Sequence, residues 1–257
     1  MEFPTITSLM KYNILAISDI HFVNEDHKKK YDCSIIYDYF IYAGDIFKDG
    51  NDKPMDIGIN FFKSIRAKNK IIVLGNNDSK KIYNILYNSL CSTNSTDCKY
   101  YIVNKLKIID DLIWCSAYSQ IHEYNGFVSS NKYGQNDSLI PSTKDLIKYP
   151  IFVTHGKFDI GSNTLLKNKL FIYGHDHIYQ KSNYNHNDQL KYVERTKNHN
   201  VYVNVSPSNL SRSLYDRDVY FTHINIINTL INVNLINAYD SDNIIEQETY
   251  FKYALQK

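Results

Sequence analysis

Apolar residues along this chain fall into short runs of strand length, with helical stripes between some of them. Residues 13–17 form an apolar run closed by polar residues, and residues 38–43 and 70–74 repeat the form, so each predicts a buried strand. Between the second and third, residues 56–68 carry Ile57, Phe61, Phe62 and Ile65 on one helical face. Residues 79–90 predict another helix, with Ile82, Ile85, Leu86 and Leu90 as its stripe and Asp78 or Ser79 as its cap. Residues 101–109 and 112–118 predict two strands joined through Asp110-Asp111 as a hairpin. Residues 119–141 are polar, contain Gly126 and Gly134 and lack a period, which predicts a long loop or small cap. A short helix is expected over 142–149, then buried strands over 150–154 and 169–173. Beyond these, residues 201–205 alternate, 219–227 and 230–238 predict a hairpin around Asn228-Thr229, and 241–255 predict a terminal helix or a flexible tail.

Helices alternating with parallel-type strands give an α/β class. No internal repeat, low-complexity linker or composition break divides the chain, so residues 1–257 are expected to form a single domain. The 43% hydrophobic content supports a core, and a formal net charge of +2 does not predict binding to nucleic acid through bulk charge. Residues 1–10 carry Glu2 and Pro4 and no long apolar run, unlike a signal peptide. No apolar run is long enough for a membrane helix. None of Cys33, Cys91, Cys98 and Cys115 sits in a C-x-x-C pair, so reduced thiols in a cytoplasmic protein are expected; Cys91 and Cys98 flank a polar loop and would pair only in an exported chain.

Five of the predicted strands end in residues that bind metals well. They run into Ser18-Asp19-Ile20-His21, Gly44-Asp45, Gly75-Asn76-Asn77-Asp78, His155-Gly156 and Gly174-His175-Asp176-His177. In open α/β sheets ligands bind outside the C-terminal ends of strands. Together these ends offer oxygens from Asp19, Asp45 and Asn76 and imidazoles from His21, His155, His175 and His177. Such a mixed set suits two first-row divalent ions (manganese first, with iron or zinc as alternatives) rather than calcium or magnesium.

The order Asp-x-His, Gly-Asp, Gly-Asn-x-Asp, His-Gly, Gly-His-x-His resembles the calcineurin-like metallophosphoesterase superfamily, over residues 14–177, and Val203-Asn204-Val205-Ser206-Pro207 resembles the strand and turn that follow. The resemblance implies two mixed β-sheets packed face to face with helices outside, a four-layer sandwich with a dinuclear metal site at the strand C-terminal ends. It implies one ion held by Asp19, His21, Asp45 and His177 and a second held by Asp45, Asn76, His155 and His175, with Asp45 shared. It also implies phosphoester hydrolysis by a hydroxide held between the ions.

One position departs from the pattern. Most members have histidine where this chain has Asn77, and an amide is no general acid near neutral pH, although it can hydrogen-bond a phosphate oxygen. That moves the resemblance toward the small phosphodiesterase branch, and a nucleotide-type phosphodiester is the first expected substrate. A phosphomonoester, a phosphoprotein or, for a nuclease, a nucleic acid are the alternatives. Asp78 is expected either to brace a ligand histidine or to cap the following helix, and Asp176 to face away from the ions. Lys157 is a candidate phosphate contact, and His122 in the long loop is a candidate replacement acid set against a plain exposed histidine. A non-catalytic scaffold, the path of a retromer subunit in this superfamily, predicts eroded ligands, whereas all seven are present here.

Overall fold

The computed structural model describes residues 11–22, 35–47, 55–92, 98–117, 141–157, 167–175, 193–205, 220–228, 230–237 and 240–251. Four strands open the chain order: β1 (Lys11–Ile17), β2 (Tyr37–Ala43), β3 (Ala67–Val73) and β4 (Lys99–Val103). They pair in parallel and, with the later β11 (Tyr220–Ile227), β12 (Leu230–Asn237) and β13 (Asp240–Phe251), form a seven-stranded sheet in the order β13-β12-β11-β1-β2-β3-β4. The second sheet has the order β5-β6-β7-β8-β10-β9. Its strands are β5 (Leu106–Ile109), β6 (Ile113–Ser116), β7 (Ile151–Thr154), β8 (Leu170–Tyr173), β9 (Val193–Arg195) and β10 (Val201–Asn204). Both sheets are mixed: the first is parallel from β1 to its edge at β4 and antiparallel from β1 through β13, and the second has a parallel centre, β6 to β10, with an antiparallel strand at each edge.

Strand alternation builds the layers. Ile113, Cys115, Ile151, Val153, Ile172 and Val203 of the second sheet join the main core with residues of the first. The residues between them, Trp114, Phe152, Phe171 and Tyr202, point the other way and pack with Leu146 and Tyr149 of the segment around α3 (Thr143–Lys148). These four rings occupy neighbouring register positions on four strands, with centroids 5.9, 5.1 and 4.5 Å apart; Trp114 is tilted against Phe152, and the other two pairs stack. On the far side of the first sheet, α1 (Met55–Ser64) sets Phe61 and Phe62 against Phe40 and Tyr42. Helices therefore lie outside two facing sheets, the architecture expected from the sequence.

Several boundaries differ from the sequence reading. The helix expected over 56–68 stops at Ser64, whose hydroxyl donates to the Phe61 carbonyl, and Ala67 already belongs to β3. The helix over 79–90 is α2 (Lys80–Leu86) followed by a π-helical turn at Tyr87–Cys91. The single strand expected over 101–109 is two: β4 ends in one sheet at Val103, and β5 begins in the other at Leu106. No glycine or proline marks that change of layer in the sequence. The hairpin after β5 holds, with Asp110 and Asp111 both left-handed and the Leu112 amide donating to the Ile109 carbonyl. The segment expected as helix or tail over 241–255 is the edge strand β13, paired along β12. The loop expected over 119–141 lies outside the described residues except for Pro141. Among the described residues, no helix is long and apolar enough to cross a membrane.

Candidate metal centre

The C-terminal ends of β1, β2 and β3 meet those of β7, β8 and β10 at one rim. Backbone bonds join the ends: Ser18 N donates to Val205 O at 2.9 Å, Asp19 N to Gly44 O at 2.9 Å, and Gly174 N to His155 O at 2.7 Å. The polar residues after each strand are thereby brought together from both sheets. Asp19, Asp45 and His155 are essentially buried, at 0, 2 and 0% exposure, so their charges interact with little screening by water.

Two groups of potential ligand atoms form there. Asp19, His21 and Asp45 each place one ligand atom within 4.8 Å of the others, and so do Asp45, His155 and His175. Asp45 belongs to both, and its two oxygens divide between them. Oδ1 lies 3.3 Å from His155 Nε2, and Oδ2 lies 3.8 Å from His21 Nε2.

The tautomer of His155 follows from its surroundings. Nδ1 is 2.7 Å from the Ala43 carbonyl, which only accepts, so Nδ1 carries a proton. Nε2 then faces Asn76 Oδ1 at 2.9 Å, His175 Nδ1 at 3.3 Å and Asp45 Oδ1 at 3.3 Å. With Nε2 unprotonated, these four nitrogen and oxygen atoms would converge on one small space that suits a cation; without one, a proton on Nε2 stands in for it.

The titration behaviour says the same. Burial pushes the Asp19 carboxyl up to about 7; the Asp45 charge adds to this, while His155, the Ser18 hydroxyl and the His175 amide pull back. Asp78 is also raised to about 7, by burial and then by Asp45. Burial opposes ionised Asp45 too, but His155 and His21 overcome it and hold that carboxyl below the usual range. Burial alone would lower His155, yet Asp45 drives it up to about 10. Buried carboxylates that ionise only with difficulty fit a site built for added positive charge.

A pH prediction follows. Asp19 and Asp78 titrate near 3.8 when unfolded and near 7 when folded, and His155 near 6.5 and 10, so the folded chain binds more protons between these values. Metal-free protein should therefore melt at a lower temperature at about pH 8 than at about pH 5, and excess Mn²⁺ should flatten that slope. Scanning calorimetry across this range checks it, and a metal-free melting temperature that rises with pH contradicts it.

Local backbone shape is part of the site. Asp19, His21, Asp45 and His175 all have positive φ, at 56, 50, 57 and 73°, where non-glycine residues carry strain. The glycines beside them are required by close approach. A Cβ on Gly174 would lie 2.6 Å from Asp19 Oδ2 and 2.7 Å from the Ala43 carbonyl. One on Gly75 would run into the Asp45 backbone nitrogen and carboxylate.

The sequence matches the calcineurin-like phosphoesterase family over residues 12–203. The chain belongs to that family. No curated protein matches it in sequence. Solved structures similar to it include a conserved uncharacterized protein, a predicted phosphoesterase, from Streptococcus pneumoniae TIGR4. That structure has 13% identity and a TM-score of 0.41, covering 95% of this chain and 99% of its own. Vacuolar Protein Sorting 29 from Cryptosporidium parvum has 12% identity and a TM-score of 0.44, with 94% and 99% covered. Zinc-complexed Vps29 from Entamoeba histolytica has 10% identity and a TM-score of 0.38, with 93% and 98% covered.

Of the residues singled out from the sequence, Asp19, His21, Asp45, Asn76, His155 and His175 come together at the rim, while His177, Asp176 and His122 lie outside the described residues. Asn77 turns to Asp45: its backbone N–H donates to Oδ1 at 2.9 Å and its side-chain Nδ2 to Oδ2 at 2.6 Å. Asp78 caps no helix, since Ser79 accepts from Ile82 N in that role. Its carboxylate instead accepts Ile46 N at 3.0 Å and Gly75 N at 2.9 Å, tying the loop after β2 to the loop after β3. Lys157 pairs with Glu194 of β9 at 2.6 Å and lies over the Tyr202 ring.

Two supporting residues were missed from sequence. The Ser18 hydroxyl donates to Asp19 Oδ2, and the Tyr42 hydroxyl accepts Ile20 N at 3.0 Å and donates to Asp45 O at 3.2 Å. Ser18 adjoins a candidate ligand and was open to notice. Tyr42 reads only as a core position of a strand, and its bonds arise from the meeting of two loops.

Proposed function

We propose that this family member is a metal-dependent phosphodiesterase acting on nucleotide-type diesters, with two divalent ions, manganese first, held by Asp19, His21, Asp45, Asn76, His155, His175 and His177. The observation that carries the reading is Asp45, which belongs to both ligand groups and offers a different oxygen to each. The donor set fits: nitrogen and carboxylate donors in a buried space, with carboxyls whose ionisation burial resists. Ions bound there would supply Lewis-acid polarisation of a phosphoryl group and a water of lowered pKa.

The chain's own residues do the rest. His155 is oriented by the Ala43 carbonyl, so its Nε2 faces the donors of the second group. Asp78 holds the loops that carry Asp45 and Asn76 in fixed relation. Asn77 stands where most relatives have histidine, and its side chain has no titratable proton for a departing alkoxide. This favours diesters with good leaving groups over alkyl monoesters. Lys157 is paired with Glu194 at the edge of the second sheet, so it would meet an anionic substrate only by leaving that partner.

The test is hydrolysis by metal-stripped protein reloaded with Mn²⁺, using bis(p-nitrophenyl) phosphate beside p-nitrophenyl phosphate. We expect Mn²⁺-dependent turnover with the diester at least about tenfold faster in kcat/KM, a difference of about 1.4 kcal/mol in barrier. Preference for the monoester would make this a phosphomonoesterase. Uptake of two ions without turnover of any ester would leave a scaffold that keeps the site.

A further inference from the structure

Asn77 meets Asp45 twice, once through its backbone and once through its side chain, with one hydrogen bond to each carboxylate oxygen. The amide orientation follows from the partner: the carboxylate oxygen accepts, so the amide atom facing it at 2.6 Å is the NH₂ group. A carboxylate offers about four lone-pair directions, two on each oxygen. Asn77 occupies one on each, which leaves one on Oδ1 toward His155 and one on Oδ2 toward His21.

We infer that Asn77 is a positioning residue for the shared carboxylate: its amide sets the rotation of Asp45 so that each remaining lone pair faces one of the two ligand groups. This rests on the reading of Asp45 as a shared metal ligand. It differs from a role for Asn77 against the phosphate in what it predicts: loss of the amide lowers ion affinity rather than substrate affinity. Hydrogen-bond partners of metal ligands typically contribute about 10–100-fold to metal affinity.

The experiment titrates Mn²⁺ into metal-stripped wild type and Asn77→Ala by isothermal calorimetry, with a melt of each metal-free protein beside it. We expect the variant to bind Mn²⁺ about tenfold more weakly, while its metal-free melting temperature stays close to wild type, because the backbone bond from residue 77 remains. Asn77→Ser, whose hydroxyl is shorter than the amide arm, should show the same loss, and it carries the test if the alanine variant does not fold. Unchanged Mn²⁺ affinity in a folded variant, with a raised KM for the diester, overturns the inference and returns Asn77 to the substrate. If wild type itself takes up no Mn²⁺, the metal-site reading fails, and the inference fails with it for that separate reason.

Discussion

Replacing Asp45 with asparagine is expected to lower Mn²⁺-dependent ester hydrolysis by about three orders of magnitude, the equivalent of about 4 kcal/mol of transition-state stabilisation. No other described side chain belongs to both ligand groups, so this change removes a negative charge from two sites at once. It also frees His155 from the partner that drives its pKa up to about 10. Metal-dependent stabilisation gives a second readout that needs no substrate. At an ion concentration of about 100 times Kd the wild type should gain about 2.7 kcal/mol, and Asp45→Asn should gain almost none. A variant that still melts at a higher temperature with Mn²⁺, and hydrolyses the diester within a few-fold of wild type, would remove Asp45 from the centre.

Gly75→Ala is expected to cost about a hundredfold in activity although it changes no ligand. The backbone of Gly75 is not in the left-handed region, so alanine is compatible with it; at an ordinary site such a change stabilises by about 0.4–1 kcal/mol through the unfolded chain. Here the new methyl would lie 3.0 Å from Asp45 Cγ and closer still to the Asp45 backbone nitrogen. A side chain can rotate away from a methyl group, but a backbone nitrogen cannot. The loop after β3 must therefore draw back from the loop after β2, and Asp45 moves with it. The Asp78 bonds to Ile46 N and Gly75 N resist that separation, so overpacking should also destabilise the fold by about 1–3 kcal/mol. Urea unfolding and a Mn²⁺ titration on the same preparation check both parts. A more stable and fully active Gly75→Ala protein would show that the two loops do not approach this closely.

Much of the fold was legible because it rests on local pattern. The apolar runs at 13–17, 38–43, 150–154 and 169–173 lie in β1, β2, β7 and β8 or overlap them closely, since a strand buried on both faces needs little but length and hydrophobicity. The Asp110-Asp111 turn was legible because short acidic residues tolerate positive φ. The short helix after residue 142 was legible too, and Ser142 and Asp145 form its capping box. The division of residues 101–109 between two sheets was not legible. Each half is a good strand, and the choice of partner depends on which sheet edge lies within reach. The same holds for β13: its sequence is compatible with helix or strand, and the open edge of β12 decides.

The site divides in the same way. By itself the sequence determined which residue types stand at the strand ends and in what order, because each motif is a few residues long and its glycine or carboxylate can be read in place. It also determined the departure at Asn77. Only the tertiary structure decided that Asp45 gives one oxygen to each ligand group, that Asn77 is turned onto that carboxylate, that Asp78 ties two loops instead of capping a helix, and that Gly75 and Gly174 must lack a side chain. The physical reason is distance along the chain. These relations join loops from strands 30 to more than 150 residues apart, and they exist only where packing of the two sheets brings the strand ends to a common rim.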